Sequence, residues 1–254
     1  MMKFILQDYE IRPDFQMELL RAKEYWDWRN TGKSEEQKTT IEILSEGDHD
    51  NDIEDGCPVG SVEFCLGWFK KYYQKTPRPI NVPGSLSQVS ITGRLIIDYT
   101  LPADLGLFLQ ADFKKHREVY LKSADLIKSG INGKYSLDDS IFELIDGKVQ
   151  VSSILEDIHS EWRVFVYQGK ILDIRCYSGD PFDIPGRSRV EEIIKTYKNP
   201  PIAYTLDLYT PEKFTTSYLM EVHDFFSCGL YGFSCYEKYP FMLWRWFKNF
   251  IGDE

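Results

Sequence analysis

The sequence predicts an α/β domain followed by an α+β domain with mixed, largely antiparallel sheets. Over about the first 90 residues, strand and helix patterns alternate, which is typical of α/β architecture. From about residue 93, strand patterns dominate, and one helical pattern interrupts them before an apolar helix closes the chain. We place a soft boundary between Pro83 and Thr92, and we expect domains at residues 1–92 and 93–254.

Composition and charge exclude several classes of protein. A chain of 254 residues with 43% hydrophobic and 28% charged residues is typical of a soluble globular protein with a sizeable core. No apolar run reaches the roughly 18–20 residues that span a bilayer, and the apolar start is too short for a secretory signal, so we expect a cytoplasmic protein. A net charge of -10, with only a short basic run "KKHR", argues against nucleic acid as the main partner. A local cationic pocket for a nucleotide stays open, as does the oligomeric state.

The common short motifs are missing. The five cysteines form no CxxC pair, which favours reduced, mostly buried thiols over a zinc site or a disulfide framework. The sequence also contains no P-loop, no dinucleotide fingerprint and no G-x-S-x-G nucleophile motif. Any activity must therefore rest on other residues.

The N-terminal elements follow from local patterns. Met2–Leu6 and "TIEIL" predict strands, and the polar segments Asn30–Thr40 and Ser45–Gly56 predict loops. The second loop is acidic but lacks the order of a calcium-binding loop, so we interpret it as solvated. Apolar residues at helical spacing predict a helix after Ser61, a good N-cap residue, and the proline-rich segment Gln74–Gly84 predicts irregular chain.

The second domain is read mainly as strands. Each predicted strand has an alternating or apolar run of β-forming residues. They are "GRLIIDY", "GLFLQAD", "REVYLKS", "KVQVSSIL", "EWRVFVYQ", "KILDIRCYS", "AYTLDLYT" and "SYLMEVHD". Helices are predicted over Arg189–Asn199 and in the terminal "YPFMLWRWFKNFIG".

The segment Ser160–Asp180 predicts a β-hairpin that turns at Gly169, and its register decides its chemistry. A three-residue loop ending at Gly169 places Arg163 opposite Asp173, which gives a charged solvent face. A three-residue loop shifted by one residue places Arg163 opposite Arg175, and such a like-charged pair would need an anion over it. A two-residue loop puts the two arginines on opposite faces. The sequence leaves these alternatives open.

The strand "YLMEVHDF" carries three polar side chains at its centre. Strict alternation places Leu219, Glu221 and His223 on one face and Asp224 on the other. On the preceding strand Asp207 lies between two leucines, and a buried carboxylate needs a partner or an ion. Asp207 and Glu221 on adjacent strands form a candidate Mg²⁺ site, because Mg²⁺ prefers oxygen ligands. The alternative is two surface carboxylates at a sheet edge.

Three strings in this order resemble the ATP-grasp superfamily: "SEWRVFVYQGKILDIRCYSGD", "PPIAYTLDLYT" and "LMEVHDFFSCGLYGF". The resemblance is closest to a small bacterial and phage-associated clade of predicted amidoligases. "CPVGSVEFCLGWF" and the run Pro77–Pro83 look like the N-terminal part of that clade, so the resemblance spans roughly Gly56–Ile251. It implies a pre-ATP-grasp α/β domain followed by the ATP-grasp domain.

The resemblance also implies a set of site residues. The adenine of ATP would lie at the hinge strand Val149–Leu155, and cations would hold the phosphates. In this sequence the implied nucleotide-binding residues are Gln110, Lys114, Lys115, Ser153, Ile154, Leu155 and Arg163. Arg163 and Arg175 match the catalytic arginines of the hairpin. Asp207 and Glu221 match the metal carboxylates, with His223 or Asp224 assisting.

Two positions depart from the family pattern. Gln110 stands where a phosphate-binding lysine is expected, so Lys114 or Lys115 would have to supply the charge. His223 stands where the family has an asparagine, and an imidazole nitrogen suits softer ions than Mg²⁺.

The implied reaction is ATP-dependent ligation. ATP converts a carboxylate into an acyl-phosphate, and an amine then displaces phosphate to form an amide, with ADP as the other product. We expect ATP and Mg²⁺ as cofactors, and a small carboxylate with an amine, or a peptide, as substrates. The alternative is a catalytically degenerate nucleotide-binding or interaction module, which the two departures would favour.

Overall fold

The computed structural model describes residues 1–48, 55–101, 106–212 and 216–252. Most of the predicted acidic loop Ser45–Gly56 lies outside these residues. Among the described residues, no helix has the length and apolar character that crossing a membrane requires.

The strands and helices follow the chain in an order close to the predicted one. The strands are β1 (Met2–Leu6), β2 (Ile41–Ser45), β3 (Cys57–Val59), β4 (Ile96–Leu101), β5 (Glu118–Ser123), β6 (Gly133–Ser136), β7 (Gly147–Ser153), β8 (Ile158–Tyr167), β9 (Lys170–Gly179), β10 (Ala203–Pro211) and β11 (Tyr218–Asp224). The helices are α1 (Asp14–Arg29), α2 (Val62–Tyr73), α3 (Val89–Thr92), α4 (Gly106–Asp112), α5 (Ile141–Leu144), α6 (Arg187–Thr196) and α7 (Tyr239–Ile251).

The strands form three sheets. The first is parallel, with the order β2-β1-β3, and α2 follows it with the predicted N-cap, because the Ser61 hydroxyl accepts a hydrogen bond from the amide of Phe64 at 3.1 Å. The second sheet has the antiparallel order β4-β7-β5-β6. The third has the antiparallel order β11-β10-β8-β9. The short segment Ile154–Asp157 connects β7 of the second sheet to β8 of the third.

The core around the first sheet contains residues from both predicted domains. Phe4 and Phe69 of the N-terminal elements pack with Phe225, Trp246 and Phe247 from the end of the chain. The division between residues 1–92 and 93–254 therefore stays a prediction.

One predicted strand is wrong. "GLFLQAD" forms the helix α4, because its buried residues have helical spacing: Leu109 and Phe113 lie four positions apart and both pack into the core of the second sheet. The exposed Leu107 and Phe108 gave the segment an apolar run that resembled a strand.

Candidate functional site

A cleft lies between the second and third sheets, beside the connecting segment. This hinge cleft has a volume of about 360 Å³. Its walls come from both sheets, and the lining includes Arg94, Tyr120, Lys122, Lys134, Ser152, Ser153, Ile154, Leu155, Ile158, Glu161, Met220 and Glu221. The structure thus places the three residues implied at the hinge, Ser153, Ile154 and Leu155, in this cleft.

A second cavity adjoins the first. This side cavity has a volume of about 380 Å³, and Tyr120, Lys122 and Glu221 line both spaces. Arg78 and Lys128 line its other parts. The two cavities therefore meet at Lys122 and Glu221, so ligands in both could approach each other there.

A cluster of potential metal ligands stands at this junction. Asp207 on β10 pairs in register with Glu221 on β11, and His223 follows two residues later on the same face. His223 Nε2 lies 2.7 Å from Glu221 Oε1 and 3.4 Å from Asp207 Oδ2. One ligand atom from each residue lies within 4.8 Å of the others. The structure therefore brings together three of the four predicted metal ligands.

Leu219 and Asp224 complete the comparison with strict alternation. A bulge at Met220 moves Leu219 to the apolar face, because Leu208 pairs with Leu219 while Asp207 pairs with Glu221, so the predicted shared face of Leu219 and Glu221 is wrong. Asp224 accepts a hydrogen bond from Trp246 Nε1 at 3.0 Å, and burial raises its pKa. Asp224 therefore does not join the cluster.

Arg163 and Asp207 form a buried bidentate ion pair. Arg163 Nε lies 2.8 Å from Asp207 Oδ1, and Nη2 lies 2.7 Å from Oδ2. Arg163 Nη1 also donates to the carbonyl oxygen of Gly229 at 3.1 Å. Burial by itself would raise the pKa of Asp207, but the hydrogen bonds and charges of Arg163 and His223 hold it below its ordinary value. Both groups are therefore charged in the folded protein.

The hairpin adopts a register that combines two of the alternatives. Its loop has two residues, because Tyr167 pairs with Lys170, but an extra residue at Leu172 shifts the register so that Arg163 faces Arg175. An anion is not needed to hold this like-charged pair, because each arginine has its own carboxylate. The partner of Arg175 is Asp173, at 2.8 Å.

Lys122 is the cation at the junction of the two cavities. It extends from β5 of the second sheet and makes an ion pair with Glu221 of the third. Burial lowers its pKa to about 8, with a further lowering from the charge of Arg94 and an opposing effect of Asp207. An additional negative charge in the hinge cleft would stabilise its protonated form.

Arg94, directly before β4, adds a second cation to the hinge cleft. Its Nη2 donates to the carbonyl oxygen of Met220 at 2.8 Å, while its Nε is buried and has no hydrogen-bond partner among the described residues. Burial lowers its pKa to about 10, against the effects of Tyr209 and Tyr120. A buried guanidinium with an unused donor is suited to binding an anion.

The predicted phosphate-binding residues of the α4 region are wrong. Gln110, Lys114 and Lys115 are exposed, and Gln110 lines a different cavity, beside Leu107 and Phe142. They are misplaced because α4 packs on the far side of its sheet through Leu109 and Phe113, whereas the cations that line the hinge cleft are Arg94, Lys122 and Lys134.

A sequence signal for Lys122 was present in "REVYLKS". There Val119, Leu121 and Ser123 alternate with Tyr120 and Lys122, so Lys122 lies on the face opposite the core.

Comparison with known proteins gives a consistent family assignment. A model of an ATP-grasp domain family, described as family 2 of its clade, matches residues 108–239, which is just over half of the chain. A search of curated proteins finds no significant match.

Solved structures share this arrangement of sheets. D-cycloserine synthetase DcsG has a TM-score of 0.53 at 14% identity, covering 98% of this chain and 99% of that one. The ATP-grasp ligase PsnB, in complex with a minimal precursor, has a TM-score of 0.52 at 11% identity, covering 95% and 98%. D-alanine–D-alanine ligase from Bacillus anthracis in complex with ATP has a TM-score of 0.49 at 14% identity, covering 100% and 99%. The first two show a common fold.

Proposed function

This chain belongs to the ATP-grasp superfamily, and we propose that it is an ATP-dependent ligase that joins a carboxylate to an amine. The observation that carries the proposal is the position of Lys122. This lysine lines both cavities and contacts Glu221, so it stands where a phosphate group in the hinge cleft would meet a substrate in the side cavity.

ATP fits the hinge cleft by chemistry. The apolar side chains Ile154 and Leu155 would cover the adenine, and the adjacent backbone would supply hydrogen bonds. Arg94 and Lys122 would hold the phosphates, Arg94 with a buried donor that is otherwise unused. We therefore replace Gln110, Lys114 and Lys115 in this role by Arg94 and Lys122.

Asp207 and Glu221 would hold a divalent cation. Both supply carboxylate oxygens, which fit the Mg²⁺ that the family resemblance implies, whereas His223 supplies a nitrogen and fits it less well. When bound, the ion would neutralise charge on the phosphates during transfer.

The ligation needs positioning more than a nucleophilic side chain. A substrate carboxylate oxygen attacks the γ-phosphorus as the bond to ADP breaks. An amine nitrogen then attacks the acyl carbon, phosphate leaves, and the nitrogen loses a proton. Arg163 and Arg175 lie side by side on β8 and β9 and would stabilise the negative charge that develops on the transferred group.

The substrates would occupy the side cavity. Its volume of about 380 Å³ suits a small carboxylate and an amine, or the end of a peptide. Arg78 and Lys128 would favour an acidic group at its outer part. A cytoplasmic location, a phage association and a separate N-terminal domain also belong to this proposal.

The test is calorimetry with ATP, combined with an ADP-release assay over a set of amino acids. We expect Lys122→Met to weaken ATP binding by about tenfold or more, since it removes a charge-assisted contact. The matched control is Lys114→Met, which removes an exposed lysine outside the cleft and should leave ATP binding unchanged. Wild-type protein that binds no ATP in the presence of any divalent cation would refute the proposal.

A second candidate is a nucleotide-binding module without turnover. Arg163 occupies both oxygens of Asp207, which favours a structural role for this carboxylate. This candidate predicts tight ATP binding with no ADP release for any carboxylate and amine pair.

A further inference from the structure

We propose that the cluster of Asp207, Glu221 and His223 selects a divalent transition-metal ion, Mn²⁺ in particular, over Mg²⁺. This inference rests on the proposed function, because the ion would serve the ATP in the hinge cleft. It goes further by assigning the ion from the chemistry of this chain's own donor atoms.

The imidazole of His223 is part of the cluster. Its Nε2 lies between the two carboxylates, 2.7 Å from Glu221 Oε1 and 3.4 Å from Asp207 Oδ2. Alternation fixes this position, because His223 pairs with Thr205 on the same sheet face on which Asp207 pairs with Glu221. An ion that contacted both carboxylates would therefore have this nitrogen as its neighbour.

The donor set favours a transition metal. Mg²⁺ prefers oxygen ligands and gives up its water reluctantly, so an imidazole adds little to its binding. First-row transition ions accept nitrogen and oxygen together, and Mn²⁺ is the member whose preferences remain closest to those of Mg²⁺. Two carboxylates with one imidazole thus form a mixed set that an ion such as Mn²⁺ can use in full.

The existing ion pairs strengthen this preference. Arg163 already neutralises Asp207, and Lys122 already neutralises Glu221. Any ion must share these carboxylates with the protein's own cations, which weakens purely electrostatic binding. A bond to the His223 nitrogen is not subject to that competition, so it favours the ion that can form it.

The experiment measures binding of Mn²⁺ and Mg²⁺ to the full chain in the presence of ATP, by calorimetry and by loss of the EPR signal of free Mn²⁺. We expect Mn²⁺ to bind about tenfold or more tightly than Mg²⁺, and His223→Asn to remove this advantage while leaving Mg²⁺ affinity unchanged. The matched control is His159→Asn. His159 lies within 3.8 Å of Asp180 and 3.4 Å of Asp183 but is not part of the cluster, so its replacement should change neither affinity.

Pulsed EPR of the wild-type protein gives a readout that does not depend on a variant's folding. We expect a ¹⁴N coupling from the imidazole on bound Mn²⁺. Equal or tighter Mg²⁺ binding, a missing ¹⁴N coupling, or unchanged Mn²⁺ affinity in a folded His223→Asn variant would each overturn the inference. If ATP still binds in the hinge cleft in those cases, the proposed function survives; if ATP binds with neither ion, the proposed function fails.

Discussion

Two neighbouring rows of side chains cross the third sheet and have opposite chemistry. The charged row consists of Arg175, Arg163, Asp207 and Glu221, one from each strand. The apolar row consists of Ile174, Val164, Leu206 and Val222, directly beside it. Because successive residues of a strand point to opposite faces, a shift of one position separates the candidate site from the core.

The two rows are stabilised in different ways. The charged row relies on ion pairs and lines the cavities, whereas the apolar row packs against Val190 and Ile193 of α6. Loss of a residue from either row should reduce stability. Only changes in the charged row should alter ligand binding, and the following predictions test that distinction.

The largest effect is expected for Asp207→Ala. It leaves the buried guanidinium of Arg163 without its carboxylate, which should lower the free energy of unfolding by about 3–5 kcal/mol. Urea denaturation measures this change. In the double variant with Arg163→Met, the loss should be smaller than the sum of the two single losses; an additive result would mean that the pair does not interact.

The dependence of stability on pH gives a second readout for Asp207. Because its pKa is lower in the folded protein than in the unfolded chain, its contribution is present above about pH 4, the ordinary pKa of aspartate, and is lost as the pH falls through the lower, folded-state value. Asp207→Asn should be less sensitive to acid over this window. An unchanged acid profile would argue against the charged pair.

A somewhat smaller loss is expected for Leu206→Ala in the apolar row. Removing this fully buried side chain leaves a cavity and should cost about 2–5 kcal/mol. ATP affinity, measured by calorimetry below the unfolding transition, should not change. A loss of affinity in the folded variant would show that the two rows are coupled.

The smallest effect is expected for Glu221→Gln, and its sign is informative. The variant releases Lys122 from its ion pair, so ATP binding without a divalent cation should become tighter by roughly fivefold, equivalent to about 1 kcal/mol. ATP binding with the cation should become weaker, because a carboxylate ligand is lost. Calorimetry with and without the cation separates the two. Weaker binding in both conditions would show that Lys122 does not bind the phosphates.

Much of the fold could be predicted from local patterns. Alternating runs predicted seven of the strands in the second predicted domain, and the Ser61 cap predicted the start of α2. The strand predicted at "GLFLQAD" failed because a short apolar run does not distinguish a strand from a helix. The site was predicted in part: Asp207, Glu221 and His223 come together, whereas the cations Arg94 and Lys122 were missed.

The sequence by itself determined which residues share a face on each strand and that the chain resembles the ATP-grasp superfamily, because both depend on local order along the chain. The tertiary structure decided the rest. Bulges at Met220 and Leu172 set which residues face each other, and a bulge depends on the partner strand. Only the approach of the second sheet to the third brings Lys122 to Glu221, across 99 positions of sequence, because no local pattern encodes the contact between two sheets.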